Sequence, residues 1–173
     1  MSSTLRVFDS LDSTNNYLKQ HYHELENMTF VCANYQTSGR GQFDRTWQSD
    51  KGKNLLVSFL IKALPTHEMP LLQKTYYDGL VSYVKTFVPN VYLKEPNDLY
   101  VNDKKIAGIL IETLVSDQCY KYVIIGLGLN VNQTEFSGLC ATSIAIETNH
   151  HYDIQSLLST YVTKTIENLG EHL

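Results

Sequence analysis

Short β-branched and aromatic runs separated by polar turns recur along the chain. They predict strands at residues 29–35 (TFVCANY), 54–61 (NLLVSFLI), 91–94 (VYLK), 106–113 (IAGILIET) and 122–130 (YVIIGLGLN). The polar pair Asn102–Asp103 reads as a hairpin turn from residues 99–101 into 105–111. Helical spacing appears three times. Asp12 or Ser13 is placed to cap a first helix running through Leu18. A second helix begins near residues 67–70 and carries Leu71, Leu72, Thr75, Tyr76, Leu80, Tyr83, Val84 and Phe87 at helical spacing, with Pro89 just beyond its end. The third, residues 154–169, aligns Leu157, Leu158, Tyr161, Val162, Thr165, Ile166 and Leu169 on one face, and Gly170 marks its stop. This order lacks the strict alternation of a doubly wound sheet. It predicts an α+β fold, a mixed β-sheet with helices packed mainly on one face.

Length and composition narrow the setting. With 173 residues, 43% hydrophobic and 18% charged, the chain is expected to form one domain with its own core. A net charge of −4 argues against a cationic nucleic-acid or membrane-surface protein. No apolar run reaches the roughly 18 residues that a membrane span needs, and the N-terminal residues show no signal-peptide pattern, so a cytoplasmic location is expected. Three cysteines without CxxC spacing make neither a disulfide framework nor a Cys-rich zinc site. The adjacent His150 and His151 read as solvated rather than metal-binding.

Four segments carry candidate chemistry. In residues 36–47 (QTSGRGQFDRTW), Gly39 and Gly41 allow close backbone approach, while Arg40 and Arg45 supply charge for a phosphate or carboxylate. The same stretch also reads as a solvated surface turn. In KEPND (94–98), Asn97 and Asp98 present an amide and a carboxylate fit for a hydrated Mg²⁺ or a ribose hydroxyl, or else form a plain β-turn. Lys105 opens an apolar strand and, by strict alternation, shares a face with Ala107, Ile109 and Ile111; it is either functional or snorkelling to the rim. GLGLNVN (126–132) suggests close backbone approach, with Asn130 and Asn132 at a strand end.

Each signal is weak alone, but the ordered series is specific. From DSTN at 12–15, through Gln36, GRG at 39–41, Arg45 and Trp47, Lys94 with PND at 96–98, and KIAGIL at 105–110 with Glu112, to GLGLN at 126–130, it resembles the catalytic domain of biotin protein ligases. The resemblance runs from about residue 7 to residue 144. It implies ATP-dependent biotinylation of a lysine on a biotin carboxyl carrier protein, through biotinyl-5′-AMP. By that resemblance Ser13, Thr14, Asn15, Gln36, Gly39, Arg40, Gly41, Gln42, Lys105 and Gly108 are expected to bind biotin. Arg40, Trp47, Asn97, Asp98, Lys105 and Asn130 are expected to bind ATP or the adenylate. Lys105, Arg40 and Asp98 are the candidate catalytic groups, and Asp98 the candidate Mg²⁺ ligand.

Two departures stand out. Where the family loop reads GRGRxGRxW, Gln42 replaces the second arginine, and Phe43 and Asp44 follow it. A neutral donor makes a hydrogen bond roughly half as strong as a charged one, so weaker retention of the adenylate is expected. Glu95 replaces the tryptophan of KWPND. The resemblance covers a catalytic domain alone: residues 1–173 are expected to be one such domain, without an N-terminal helix-turn-helix or a small C-terminal β-barrel. No DNA binding is expected, and a homodimer through an exposed sheet edge stays open. Two other readings compete, a lipoate or octanoate ligase of the same fold and a degenerate protein that holds biotin or its adenylate without efficient turnover. Against the first, no glycine cluster followed by His-Asp is present.

Overall fold

A computed structural model describes residues 3–43 and 45–170. Seven strands form one sheet in the order β1-β2-β3-β7-β6-β5-β4. They are β1 (Thr4–Phe8), β2 (Thr29–Ala33), β3 (Leu55–Pro65), β4 (Val91–Lys94), β5 (Asp98–Val101), β6 (Lys104–Ser116) and β7 (Cys119–Leu129). Only β1 and β2 pair in parallel; the other neighbours are antiparallel, so the sheet is mixed as expected. The helices are α1 (Thr14–His21), α2 (Met69–Lys85), the short α3 (Ile144–Thr148) and α4 (Ile154–Leu169).

Alternation sorts the side chains. Leu55, Val57, Phe59 and Ile61 of β3 join Ile125, Leu127 and Leu129 of β7 in the main core, under α2 and α4. Phe59 stacks on Phe30 with centroids 5.2 Å apart and tilts against Tyr76 at 5.4 Å. Buried tyrosines satisfy their hydroxyls inside this layer: Tyr76 pairs with Tyr161 at 2.8 Å, and Tyr83 donates to the Leu157 carbonyl at 2.9 Å. On the opposite face a smaller cluster joins Leu18 of α1 to Val31, Leu60, Tyr122 and Ile124. Two helices thus cover one face, and α1 covers part of the other.

Local chemistry sets the boundaries. Ser13 caps α1, its hydroxyl accepting from the Asn16 N–H, which decides between the two capping candidates. Asp153 caps α4 by accepting from the Ser156 N–H at 2.9 Å. Gly170 ends α4 with a right-handed φ of −63°, so it stops the helix without the left-handed turn that a glycine allows. Asn102 takes φ 52° in the β5–β6 hairpin, a conformation that asparagine tolerates better than most residues. Among the described residues no helix is long and apolar enough to cross a membrane.

Candidate functional site

The face of β3, β6 and β7 turned away from α2 and α4 floors a cleft of about 400 Å³. Three glycines keep that floor low. A Cβ on Gly126 would lie 2.1 Å from Asn15 Oδ1, and one on Gly128 would lie 2.4 Å from Trp47 Cε2. Gly108 is covered by the same indole, at 3.0 Å from Cζ3.

At one end of the floor, α1 and β3 build a buried polar network. Ser58 Oγ donates to Asn15 Oδ1 at 2.6 Å and lies 2.6 Å from Thr14 Oγ1. Thr14 Oγ1 also lies within donating distance of Gln36 Oε1, at 3.1 Å, so its one hydrogen serves either Ser58 or Gln36. Gln36 turns its amide oxygen inward, accepting from the Thr14 backbone N–H at 2.8 Å. Ser13 borders the same corner.

Lys105 reaches the cleft through a β-bulge. Leu99 pairs with Ala107 while Tyr100 pairs with Lys105, so Ile106 is an extra residue on β6. The expected alternation therefore fails at this point. Lys105 does not share a face with Ala107, Ile109 and Ile111, which pack in the core; its Nζ comes within 3.2 Å of a Cβ built on Gly108. Ile106 is fully buried in the core and lines no part of the cleft. Lys105 Nζ lies 2.7 Å from Asp98 Oδ1 and 5.5 Å from the Trp47 ring centroid. Asn97 is committed to β6: its side-chain N–H₂ donates to the Ile109 carbonyl at 2.6 Å. KEPND is thus both the β4–β5 turn and a cleft wall.

The 36–47 loop forms the other wall through Arg40, Gly41, Gln42 and Trp47. Its ends are pinned by the Trp47 N–H donating to the Gly39 carbonyl at 2.9 Å. Gly39 itself does not line the cleft; a Cβ there would meet the Trp47 carbonyl at 2.3 Å, so its role is to let the loop close on itself. Asp44 lies outside the described residues. The remaining expected site residues, Ser13 to Asn15, Gln36, Arg40 to Gln42, Trp47, Asn97, Asp98, Lys105, Gly108 and Asn130, all border the one cavity.

Two buried polar atoms on this cavity lack a partner among the described residues: the Trp47 Nε1 donor and the Asn130 Oδ1 acceptor. Asn130 Nδ2 is satisfied by the Thr142 carbonyl at 3.0 Å. Buried polar groups are rarely left unpaired, and a donor and an acceptor orphaned on one cavity fit a polar ligand. No group of three or more His, Cys, Asp or Glu side chains gathers anywhere among the described residues. A divalent ion would find one protein carboxylate, Asp98, which suits a metal that arrives on phosphates.

With this geometry in place, the model of the biotin/lipoate A/B protein ligase family matches residues 7–130. The chain belongs to that family. The bifunctional ligase/repressor BirA of Bacillus subtilis is 34% identical over 140 residues, covering 77% of this chain and 42% of that protein. BirA of Escherichia coli is 34% identical over 131 residues, with 74% and 40% covered. The chain therefore spans less than half the length of these relatives. Among solved structures, biotin protein ligase from Aquifex aeolicus in complex with biotin and ATP superposes with a TM-score of 0.81 at 28% identity, covering 98% of this chain and 72% of that one.

Three side chains that bond to residues lining this cleft were given no ligand role from the sequence: Ser58, Lys19 and Glu112, although Glu112 follows the KIAGIL motif. Ser58 is the one polar residue in NLLVSFLI, and that pattern could have exposed it. Glu112 stands two and four residues beyond Leu110 and Gly108, on the cleft phase of β6. Burial alone would raise its carboxyl; hydrogen bonds from Lys19 and Asn15, with the charges of Lys19 and Arg40, outweigh burial and hold it below its ordinary value.

Proposed function

We propose that this chain is the catalytic domain of an ATP-dependent biotin protein ligase that forms biotinyl-5′-AMP and passes biotin to a lysine of a biotin carboxyl carrier protein in the cytoplasm. The observation that carries this reading is the meeting of Arg40 and Lys105 in one cavity with the Ser13–Thr14–Gln36 corner and the two orphaned polar atoms.

Attack of the biotin carboxylate on the α-phosphorus of ATP forms a C–O–P bond and expels pyrophosphate. Both reactants are anions, so the step needs fixed positive charge where negative charge builds. Lys105 and Arg40 supply it. In the second step a carrier amine attacks the acyl carbon and AMP leaves; Asp98, beside Lys105, is the candidate acceptor for the amine proton. The ureido ring of biotin offers donors and acceptors that Ser13, Thr14 and the Gln36 N–H₂ match. Mg²⁺ would be held mainly by nucleotide phosphates, with Asp98 as protein ligand, and would neutralise phosphate charge. The apolar wall for the biotin chain is Leu110 and the Trp47 indole.

Biotin-dependent exchange of pyrophosphate into ATP tests this reading, with lipoate and octanoate in parallel. Exchange with biotin alone is expected; exchange with no acid overturns it. Because Gln42 lines the cleft without charge, Gln42→Arg is expected to slow release of the adenylate a few-fold in a filter-retention assay. An unchanged release rate would show that position 42 does not hold the intermediate.

A further inference from the structure

A charged cluster sits at the rim of the cleft, and only one of its members was matched to a ligand. The Glu112 carboxylate, 15% exposed, accepts from two cations at once. Oε1 lies 2.5 Å from Lys19 Nζ and 2.9 Å from Arg40 Nη1. Oε2 lies 3.1 Å from the same Arg40 nitrogen and accepts from Asn15 Nδ2 at 3.0 Å. Arg40 Nη1 also donates to Asn16 Oδ1 at 2.9 Å. Helix α1, strand β6 and the 36–47 loop are thus tied together through one carboxylate.

The charges explain why two cations are present. A largely desolvated carboxylate resists losing its only counter-ion, because an uncompensated charge would remain. If Arg40 alone neutralised Glu112, the pair would order the loop but also hold the guanidinium away from an anion entering the cleft. Lys19 changes this balance. With Lys19 and Asn15 in place, Glu112 stays neutralised when Arg40 turns to the ligand. The trio of Lys19, Arg40 and Glu112 carries a net +1, and that surplus charge is what an anionic acyl phosphate would use.

We propose that Lys19 is a positioning residue that frees Arg40: it keeps Glu112 compensated while Arg40 transfers from that carboxylate to the acyl phosphate, so that Glu112 orders the loop without trapping its arginine. The proposal rests on reading the cleft as an acyl-adenylate site, and its test separates the two.

In the exchange assay, Lys19→Met is expected to raise the KM for biotin about tenfold with a smaller change in kcat. Lys19→Arg restores the wild-type value. In a Glu112→Gln background, Lys19→Met adds nothing, since no carboxylate remains to hold Arg40. An equal rise in both backgrounds, or none in either, overturns the proposal. A second readout needs no turnover: trypsin cleavage after Arg40 in the free protein, referenced to cleavage after Arg45. Glu112→Gln is expected to accelerate it several-fold and Lys19→Met to slow it. If no acid supports exchange, the cleft reading fails by itself, and the digestion still decides the latch. Equal cleavage of wild type and Glu112→Gln overturns it, provided thermal melts show both folded.

Discussion

On β7, Ile125, Leu127 and Leu129 enter the helical layer, while Gly126, Gly128 and Asn130, one step out of phase, floor the cleft. The same split divides β3, where Phe59 packs under α2 and Ser58 joins the polar corner beside Thr14 and Asn15. The two faces obey different rules. The helical face buries large apolar side chains, each contributing about 1.5–3 kcal/mol. The cleft face keeps side chains small and leaves two polar atoms orphaned, both of which cost stability. Stability and candidate chemistry are therefore carried by alternate residues of the same strands, and substitutions should separate them.

The largest effect is expected on the helical side. Phe59→Ala removes a fully buried ring and should cost about 3–5 kcal/mol in denaturant unfolding, while exchange per folded molecule is unchanged. An activity loss without a stability loss would break the comparison. Lys105→Ala should do the reverse, lowering pyrophosphate exchange by about 100-fold or more with little change in melting temperature. Near-normal turnover would remove Lys105 from the site. Gly128→Ala adds a Cβ where the Trp47 indole lies, and should displace that ring at a cost of about 1–3 kcal/mol. Its signature is a change in Trp47 fluorescence together with a raised KM for ATP; unchanged emission would mean that the indole does not rest on the floor.

The smallest effect lies at Glu112. Its folded carboxyl titrates below the ordinary value, so its stabilising contribution is complete above the usual carboxylate range, near pH 4.3, and is lost as pH falls through the lowered folded value. Glu112→Gln should flatten the acid limb of the stability–pH curve by less than about 1 kcal/mol. Superimposable acid limbs would mean that the cluster adds nothing to the folded state.

Much of this arrangement was legible in the residues. The apolar runs located the central strands because those strands are buried, and helical spacing found the buried faces of α2 and α4, although Leu71, at the first turn of α2, is exposed. What escaped was exposed or short. Strand β1 has Leu5 and Val7 open to solvent and no buried face to impose a pattern. Helix α3 is five residues long and buries only Ile144. Strands β3, β6 and β7 run past their apolar windows because backbone pairing continues where the side chains no longer form an unbroken apolar run. The site motifs, apart from Gly39, converge on one cavity, yet the Glu112 ion cluster joins residues far apart in sequence, and no local pattern reports such pairing.

The bulge at Ile106 has a consequence for redesign and for comparing relatives. A strand is usually treated as a ruler with a fixed two-residue pitch, along which any stretch can slide by an even step. In this chain the ruler is broken in the β5–β6 pair and again in the β6–β7 pair near Leu114, and the first break aims Lys105 into the cleft. Straightening the strand without shortening it would put Lys105 out of phase and swing its ammonium group toward the packing layer beside Ala107 and Ile109, whereas deleting Ile106 would restore the pitch with Lys105 still opposite Tyr100 on the cleft side. A relative whose strand lacks the extra residue would carry its lysine two positions before the glycine instead of three, and its alignment with Lys105 and Gly108 would need a one-residue gap at Ile106.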